Sequence, residues 1–173
     1  MTHDEHNAAF DRWLRDHGAV LHHVANGFAA GADRHDLMQE LLLAVWQAVP
    51  AYRAGARPST FIFRVAHNAA LMWKRSEKNY RQRVDRFETL SVLPATDDAH
   101  AGRRERETLE LLYARIRELP PVDRSLLLLH LDGASYGEMA EIHGLSESNV
   151  GARLTRAKQK LTQSLQEISH ELR

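Results

Sequence analysis

The clearest pattern of apolar and polar positions lies at residues 134–160. Ser135, followed three residues later by Glu138, is a capping-box pattern that predicts the start of a helix. Gly144 suits the positive φ with which a chain often leaves a helix, and Ser146 is an N-cap for a second one. In that second helix apolar residues recur at spacings of four, three and four, at Val150, Leu154, Ala157 and Leu161. The pattern predicts a helix-turn-helix.

The opposite face of the second predicted helix is polar and basic, with Ser148, Asn149, Arg153, Arg156, Lys158 and Lys160 pointing outward. Such a helix is typical of the member of a helix-turn-helix that enters the DNA major groove. An amphipathic helical hairpin with no DNA-binding role would share part of this pattern. The two caps, the glycine and the positive charge on one helix only favour DNA binding.

The first half of the chain also has helical periodicity, from about Asn7 to Val49, with turn signals near Gly27 and Gly31. One apolar face at spacings of four, four and three is predicted to be buried: Leu37, Leu41, Val45 and Ala48. Pro50 ends this helix because a proline in a helix interior removes a hydrogen bond and clashes with the preceding turn. Residues 51–58 are then predicted to form a loop.

A further helix follows that loop, with Ser59 or Thr60 as its N-cap. Its predicted buried face comprises Phe61, Val65, Ala69 and Met72. Basic residues on its other sides are interleaved with Trp73 and Tyr80. This mixture can follow a phosphate backbone and stack on unpaired bases.

Residues 88–102 lose helical periodicity and contain a proline, a glycine and an acidic pair, which predicts a linker. The predicted domains are therefore residues 7–87 and 103–168. Helices are predicted again at about 103–118 and 122–131, ahead of the helix-turn-helix. The predicted fold class is all-α, with two small helical domains joined by a flexible linker.

Formal net charge is zero, with 23 basic and 23 acidic residues, but the charges are segregated along the chain. Residues 57–86 hold 8 basic and 2 acidic residues, and residues 148–173 hold 5 and 2. The intervening residues 87–147 hold 6 basic and 12 acidic residues. Because the local field attracts DNA, two separate DNA-contacting surfaces are predicted.

Several kinds of chemistry have no support in the sequence. The chain has no cysteine, its 11 histidines are scattered, and it lacks a glycine-rich phosphate loop and a nucleophile elbow. We therefore expect no metal, no cofactor and no enzymatic activity. A secretory start and an apolar run of membrane-spanning length are also missing, so we expect a cytoplasmic protein without membrane insertion.

These motifs, in this order, resemble an RNA polymerase sigma factor of the sigma-70 family, in its extracytoplasmic-function (ECF) group. Residues 36–75 look like sigma region 2, and residues 119–161 look like sigma region 4. The resemblance covers roughly residues 10–165. It implies a region 2 helical bundle, a region 4 helix-turn-helix, and a protein that brings core RNA polymerase to −35 and −10 promoter elements and melts the DNA.

The resemblance also implies roles for individual residues. The −35 element would be read by Ser148, Asn149, Ala152, Arg153 and Arg156. The −10 element and the melted strand would be held by Arg53, Arg57, Asn68, Lys74 and Arg75. The clamp helices of the largest polymerase subunit would contact Asp36, Gln39, Glu40 and Gln47, while region 4 would meet the polymerase flap. Besides core polymerase and promoter DNA, an anti-sigma factor or a Ser/Thr kinase is a candidate partner.

Some positions depart from the family pattern. Gly151 and Ala152 stand where longer polar side chains are common, and Arg34 and His35 stand where acids are common. Some members of the family that lack those acids resemble proteins controlled by Ser/Thr phosphorylation in region 2. A phosphate on Ser59 or Thr60 would supply the missing negative charge.

Two other functions stay open on the sequence. An ordinary DNA-binding regulator would use only the C-terminal helices and would bind duplex DNA without polymerase. A sigma mimic would sequester an anti-sigma protein without touching DNA, and the presence of two basic patches argues against it.

Overall fold

A computed structural model describes residues 2–84 and 103–171, with side chains described at 2–77 and 106–166. The regular structure of these residues is entirely helical, which confirms the predicted all-α class. The elements are α1 (His3–Phe28), α2 (Gly31–Ala48), a 3-10 turn (Val49–Ala51), α3 (Pro58–Val84), α4 (Arg103–Glu118), α5 (Pro121–Leu131), α6 (Tyr136–His143) and α7 (Glu147–Glu171).

The N-terminal half is a three-helix bundle in which α1, α2 and α3 pack against one another. Thr2 and Glu5 form a capping box at the start of α1. Leu37, Leu41 and Val45 are buried as predicted, and α2 ends at Ala48 just before Pro50. The burial of this apolar stripe supplies most of the stability of such a helix.

Helix α3 differs from its prediction in two respects. Pro58 occupies the first helical position, so neither Ser59 nor Thr60 is the N-cap. Proline is favoured there because its φ is already helical and its missing N–H would have no partner. The most buried face carries Thr60, Ile62, Phe63, Ala66, His67 and Ala70. The predicted stripe is only half-buried at its start, and at its end Met72 is 68% exposed.

The C-terminal half contains the predicted helix-turn-helix in α6 and α7. The capping box between Ser135 and Glu138 is present, and Gly144 adopts φ 63°. The Ser146 hydroxyl accepts a hydrogen bond from the Asn149 backbone N–H at 3.2 Å. The predicted stripe of α7 is buried at Val150, Leu154 and Ala157, where this helix packs against α5 and α6. The local motif is thus confirmed.

The two halves meet at an interface that we call the seam, where α1 and α3 contact α4, α5 and α6. The buried apolar residues of both halves form one continuous core across it. Arg124 of α5, for example, lies with its guanidinium carbon 4.9 Å from the centre of the Phe28 ring. The predicted linker, residues 88–102, lies outside the described residues, so its flexibility and the domain boundaries stay predictions.

His67 lies at the seam, between the Phe28 and Phe63 rings and opposite His143 of α6. Burial, and to a smaller extent the nearby His143 and Arg124, lowers the pKa of His67 to about 4. In the unfolded chain the same imidazole takes up a proton near pH 6.5. Its contribution to stability is therefore complete above pH 6.5 and is lost as the pH falls toward 4.

We predict that His67→Leu makes folding less sensitive to acid. Between pH 7.5 and pH 5.0, the wild-type chain should lose about 2 kcal/mol of unfolding free energy more than the variant. Urea denaturation at the two pH values measures this difference. His23, whose pKa is raised by its hydrogen bond to Asp132, acts in the opposite direction in both proteins and cancels in the comparison. Equal losses in both proteins would contradict the prediction.

Candidate nucleic-acid interface

The N-terminal turns of α7 present a continuous exposed face. Ser148, Asn149, Ala152 and Arg156 all lie on it, as the sequence predicted for the −35 contacts. Thr155 and Gln159, which the sequence reasoning did not single out, are exposed on the same side. A helix with short polar side chains and one free arginine at its N-terminal end has the dimensions and chemistry for major-groove contact.

Arg153 differs from the other predicted −35 residues. Its guanidinium forms an ion pair with Asp123 in the first turn of α5, with Nη1 3.2 Å from Oδ1, and its side chain is 28% exposed. It also lies near His143, whose pKa is lowered by burial and, to a smaller extent, by this guanidinium. Arg153 is thus engaged within the C-terminal half, while Arg156 is exposed.

Gly151 has a packing reason for its small size. A Cβ atom at this position would lie 3.3 Å from Cε2 of Tyr136, at the start of α6. The aromatic ring therefore occupies the space beside this turn of α7. The glycine that departs from the family pattern is explained by the contact between the two helices of the motif.

The loop between the 3-10 turn and α3 is held in a defined shape by its own hydrogen bonds. The Tyr52 hydroxyl donates to the Ala56 carbonyl oxygen at 2.8 Å. Arg53 Nη1 donates to the Pro50 carbonyl oxygen at 2.7 Å. Arg57 is mostly exposed and approaches Glu138 of α6, with Nε 3.5 Å from Oε1. Arg53 and Arg57, the two predicted arginines, therefore lie at the two ends of the loop, and each contacts another part of the chain.

The exposed side of α3 brings Asn68 and Arg75 into one stripe with Arg64 and Met72. Lys74 lies beside this stripe, with Nζ 3.5 Å from Glu77 and 6.0 Å from the centre of the Trp73 ring. Met72 was wrongly assigned to the core by its periodicity. An exposed apolar side chain between polar and basic ones is the arrangement that proteins use to contact or wedge apart stacked bases.

A second exposed face lies on α2 and contains Asp36, Gln39, Glu40 and Gln47, the four predicted polymerase contacts. Leu43 is 50% exposed at the centre of these polar residues. The sequence reasoning missed Leu43, although its spacing from Gln39 and Gln47 places it on their face. An exposed leucine ringed by polar residues is typical of a protein-binding surface.

Two other kinds of site are absent from the part of the chain that the structure describes. No group of three or more histidine, aspartate or glutamate residues is placed to hold a metal ion among the residues described. Within those residues, no helix has the length and apolar character needed to cross a membrane.

Comparison with known protein families gives a match in each half of the chain. Residues 10–80 match sigma-70 region 2, and residues 109–161 match sigma-70 region 4. The chain belongs to the sigma-70 family. It is an ECF RNA polymerase sigma factor, a non-enzymatic factor that binds RNA polymerase and promoter DNA to initiate transcription.

Relatives of this sigma factor extend over nearly its full length. The RNA polymerase sigma factor CarQ of Myxococcus xanthus is 27% identical over 165 residues, covering 94% of this chain and 91% of the relative. The ECF sigma factor SigM of Mycobacterium tuberculosis is 25% identical over 161 residues, covering 91% and 77%. The ECF sigma-E factor of Escherichia coli is 23% identical over 153 residues, covering 84% and 80%.

Two solved structures are similar to this sigma factor in fold. CnrH in complex with the cytosolic domain of CnrY has a TM-score of 0.65 at 22% identity, covering 93% of this chain and 90% of that one. RpoE of Bartonella quintana in complex with the anti-sigma factor NepR has a TM-score of 0.67 at 21% identity, covering 90% and 95%. At these identities the similarity supports the fold.

Proposed function

We propose that this sigma factor reads promoters through two separate faces, one in each half. The exposed face of α7, with Arg156 as its main cation, contacts the −35 duplex. The loop 53–58 and the exposed stripe of α3 capture the −10 strand as it melts. The observation that carries this proposal is the α3 stripe, in which Met72 lies exposed among Arg64, Asn68 and Arg75.

The chemistry of the α3 stripe suits single-stranded DNA. Its cations follow the phosphates, and an exposed apolar side chain can take the place of a neighbouring base in the stack. Opening a base pair costs a few kcal/mol, and capture of the unpaired base offsets that cost. No covalent step is involved, so the protein acts by binding alone.

A template that is already melted separates the two roles. We expect Asn68→Ala to reduce transcription from a duplex promoter and to regain much of it on a template mismatched across the −10 element. Arg156→Ala should reduce transcription from both templates to the same extent, since its contact is made to duplex DNA. Run-off transcription with core polymerase measures both effects. Equal behaviour of the two variants would contradict the division of roles.

The α2 face is proposed to bind the clamp helices of core polymerase. Leu43 supplies an apolar centre, and Asp36, Gln39, Glu40 and Gln47 surround it with polar groups that fix orientation. The C-terminal half is proposed to meet the flap. The site of action is accordingly the cytoplasm, where polymerase and promoter DNA are found.

Two regulatory partners are also proposed, on narrower grounds. Both similar solved structures are complexes, CnrH with the cytosolic domain of CnrY and RpoE with the anti-sigma factor NepR. An anti-sigma factor is therefore a candidate partner of this chain as well. A Ser/Thr kinase acting on Ser59 or Thr60 is the other candidate.

Of the two hydroxyls, Ser59 is the better acceptor of a phosphate. Thr60 is 7% exposed and donates a hydrogen bond to Glu138 at 2.9 Å, so a phosphate there would face a carboxylate. Ser59 lies in the first turn of α3 beside Arg57, where a helix N-terminus and a cation favour an anion.

We predict that a Ser59→Ala/Thr60→Ala double variant loses activity in cells. A Ser59→Glu variant should keep part of the activity that the double variant loses. A reporter gene under a promoter of this sigma factor measures both. Full activity of the double variant would exclude control by phosphorylation at these positions.

A further inference from the structure

We propose, on the basis of the −35 role proposed for α7 above, that this helix recognises thymine in the −35 element by apolar contact. The methyl groups of Ala152 and Thr155 contact the C5-methyl group that distinguishes thymine in the major groove. Ala152 stands where longer polar side chains are common in the family, so this contact is a property of this chain.

Ala152 lies in the middle of the exposed face of α7. Two positions apart on a helix, side chains point about 160° away from each other around the axis. Val150 and Leu154, on either side of Ala152 at that spacing, are fully buried against the rest of the C-terminal half. Ala152 therefore points away from the protein core, and the only group that it offers to DNA at the centre of this face is a methyl group.

Thr155 is exposed beside Ala152, but its hydroxyl group is already in use. The hydroxyl donates a hydrogen bond to the Gly151 carbonyl oxygen, four residues earlier, at 2.9 Å. A threonine bonded back to its own helix in this way has no donor left for another partner. The exposed part of Thr155 therefore offers a second methyl group rather than a hydrogen bond to the base edges.

The side chains along the middle of this face are short enough for the helix to lie deep in the groove. Over the first turns of α7 they are Ser148, Ala152 and Thr155. Gly151 lies beside them, where the Tyr136 ring fills the space that a longer side chain would need. Since a methyl group makes useful contact only at about 4 Å, this close approach is a condition for reading thymine.

The chemistry of the two methyl groups favours thymine over the other bases. Adenine, guanine and cytosine present donors or acceptors in the major groove, and a methyl group set against them leaves those polar groups without a partner. Cβ atoms three residues apart on a helix are about 5–6 Å apart, so Ala152 and Thr155 can contact one thymine or two neighbouring ones. Arg156 follows Ala152 by one turn, about 6 Å, so the thymine should lie within about two base pairs of the guanine assigned to Arg156.

The experiment removes the methyl group from the DNA without changing any hydrogen-bonding group. Uracil is thymine without its C5-methyl group, so each thymine of the preferred −35 element is replaced singly by uracil. Holoenzyme made from core polymerase and the full chain then chooses between the thymine and uracil fragments in competition binding. We expect binding about fourfold weaker at one position or at two neighbouring positions, the effect of one buried methyl group, and no change elsewhere.

Matched variants remove the methyl groups from the protein. Thr155→Ser keeps the hydroxyl that bonds to Gly151, and Ala152→Gly removes the other methyl group, so the double variant should bind the thymine and uracil fragments equally. Any loss of helix stability cancels, because both fragments are compared with the same variant. Thr162→Ser is the control: it makes the same chemical change at an exposed position of α7 about 10 Å farther along, and it should keep the fourfold preference.

Recognition of thymine by these methyl groups would be overturned if no uracil substitution weakened binding, or if the double variant kept the full preference for thymine. If circular dichroism shows that the double variant does not fold, Thr155→Ser alone replaces it, and an unchanged preference in that variant would be equally decisive. Arg156→Ala separates this failure from that of the −35 assignment. A changed base preference in Arg156→Ala without any uracil effect would refute the thymine contact alone, whereas unchanged −35 preferences in Arg156→Ala would refute the role of α7 itself.

Discussion

Leu154→Ala is expected to lower the free energy of unfolding by about 2–5 kcal/mol, the range for removing a buried leucine side chain. Leu154 lies on the buried face of α7, which packs against α5 and α6. Alanine would leave a cavity beneath the recognition helix that the surrounding helices can fill only in part. The urea midpoint of unfolding should fall without a change in slope.

The matched control for this variant is Gln159→Ala, on the exposed side of the same helix, which should change stability by no more than about 0.5 kcal/mol. The consequence for function follows from the stability of domains of this size, about 5–15 kcal/mol. Leu154→Ala should remove a large part of it and weaken −35-dependent transcription at 37 °C more than at 20 °C. A loss below 1 kcal/mol would mean that α7 is not packed as described.

Arg156→Ala is expected to relax base preference at one position of the −35 element, at a cost of about 1–3 kcal/mol in binding. Arg156 is exposed on the face of α7 proposed to contact the −35 element, where an arginine can form two hydrogen bonds to a guanine edge. The corresponding loss in transcription is roughly 5- to 150-fold on the preferred promoter and smaller on promoters that differ at that base pair.

Arg153→Met is the matched control, three residues away on the same helix. Its guanidinium is paired with Asp123, so we expect a small loss of stability and no change in base preference. Transcription from a promoter library randomised across the −35 element, followed by sequencing of the products, measures both variants. A changed preference in Arg153→Met with none in Arg156→Ala would reverse the assignment.

Local chemistry explains why the helix-turn-helix could be predicted. Ser135, Glu138 and Gly144 act within a few residues of themselves, through a capping box and a positive φ. The stripes of α2 and α7 were also read correctly, because each of these helices has one apolar face and a clearly polar one.

Helix α3 could not be read in the same way because it is apolar on more than one side. Phe61 packs on Trp13 and Tyr52 within the N-terminal half, whereas His67 contacts His143 across the seam. Periodicity alone cannot choose among such faces. The buried side of α3 is set by packing against α1 and α2 and, at Thr60 and His67, by contacts with α6, which leaves Met72 in water.

Ion pairing is the other property that the sequence did not reveal. The sequence places Arg153 and Arg156 together on the polar side of α7. They differ because Asp123 forms an ion pair with Arg153, and the sequence does not show that contact. Leu43 shows the opposite case, an apolar residue whose spacing was available in the sequence. Its spacing of four residues from both Gln39 and Gln47 places it on their exposed face.

Abortive initiation with purified core RNA polymerase tests the promoter-reading function most directly. A library of promoters is transcribed with and without this protein. We predict short RNA products that require both the protein and particular sequences at −35 and −10. Binding to core polymerase with no promoter-dependent product would contradict promoter reading, and binding to duplex DNA without any binding to core would contradict the sigma function itself.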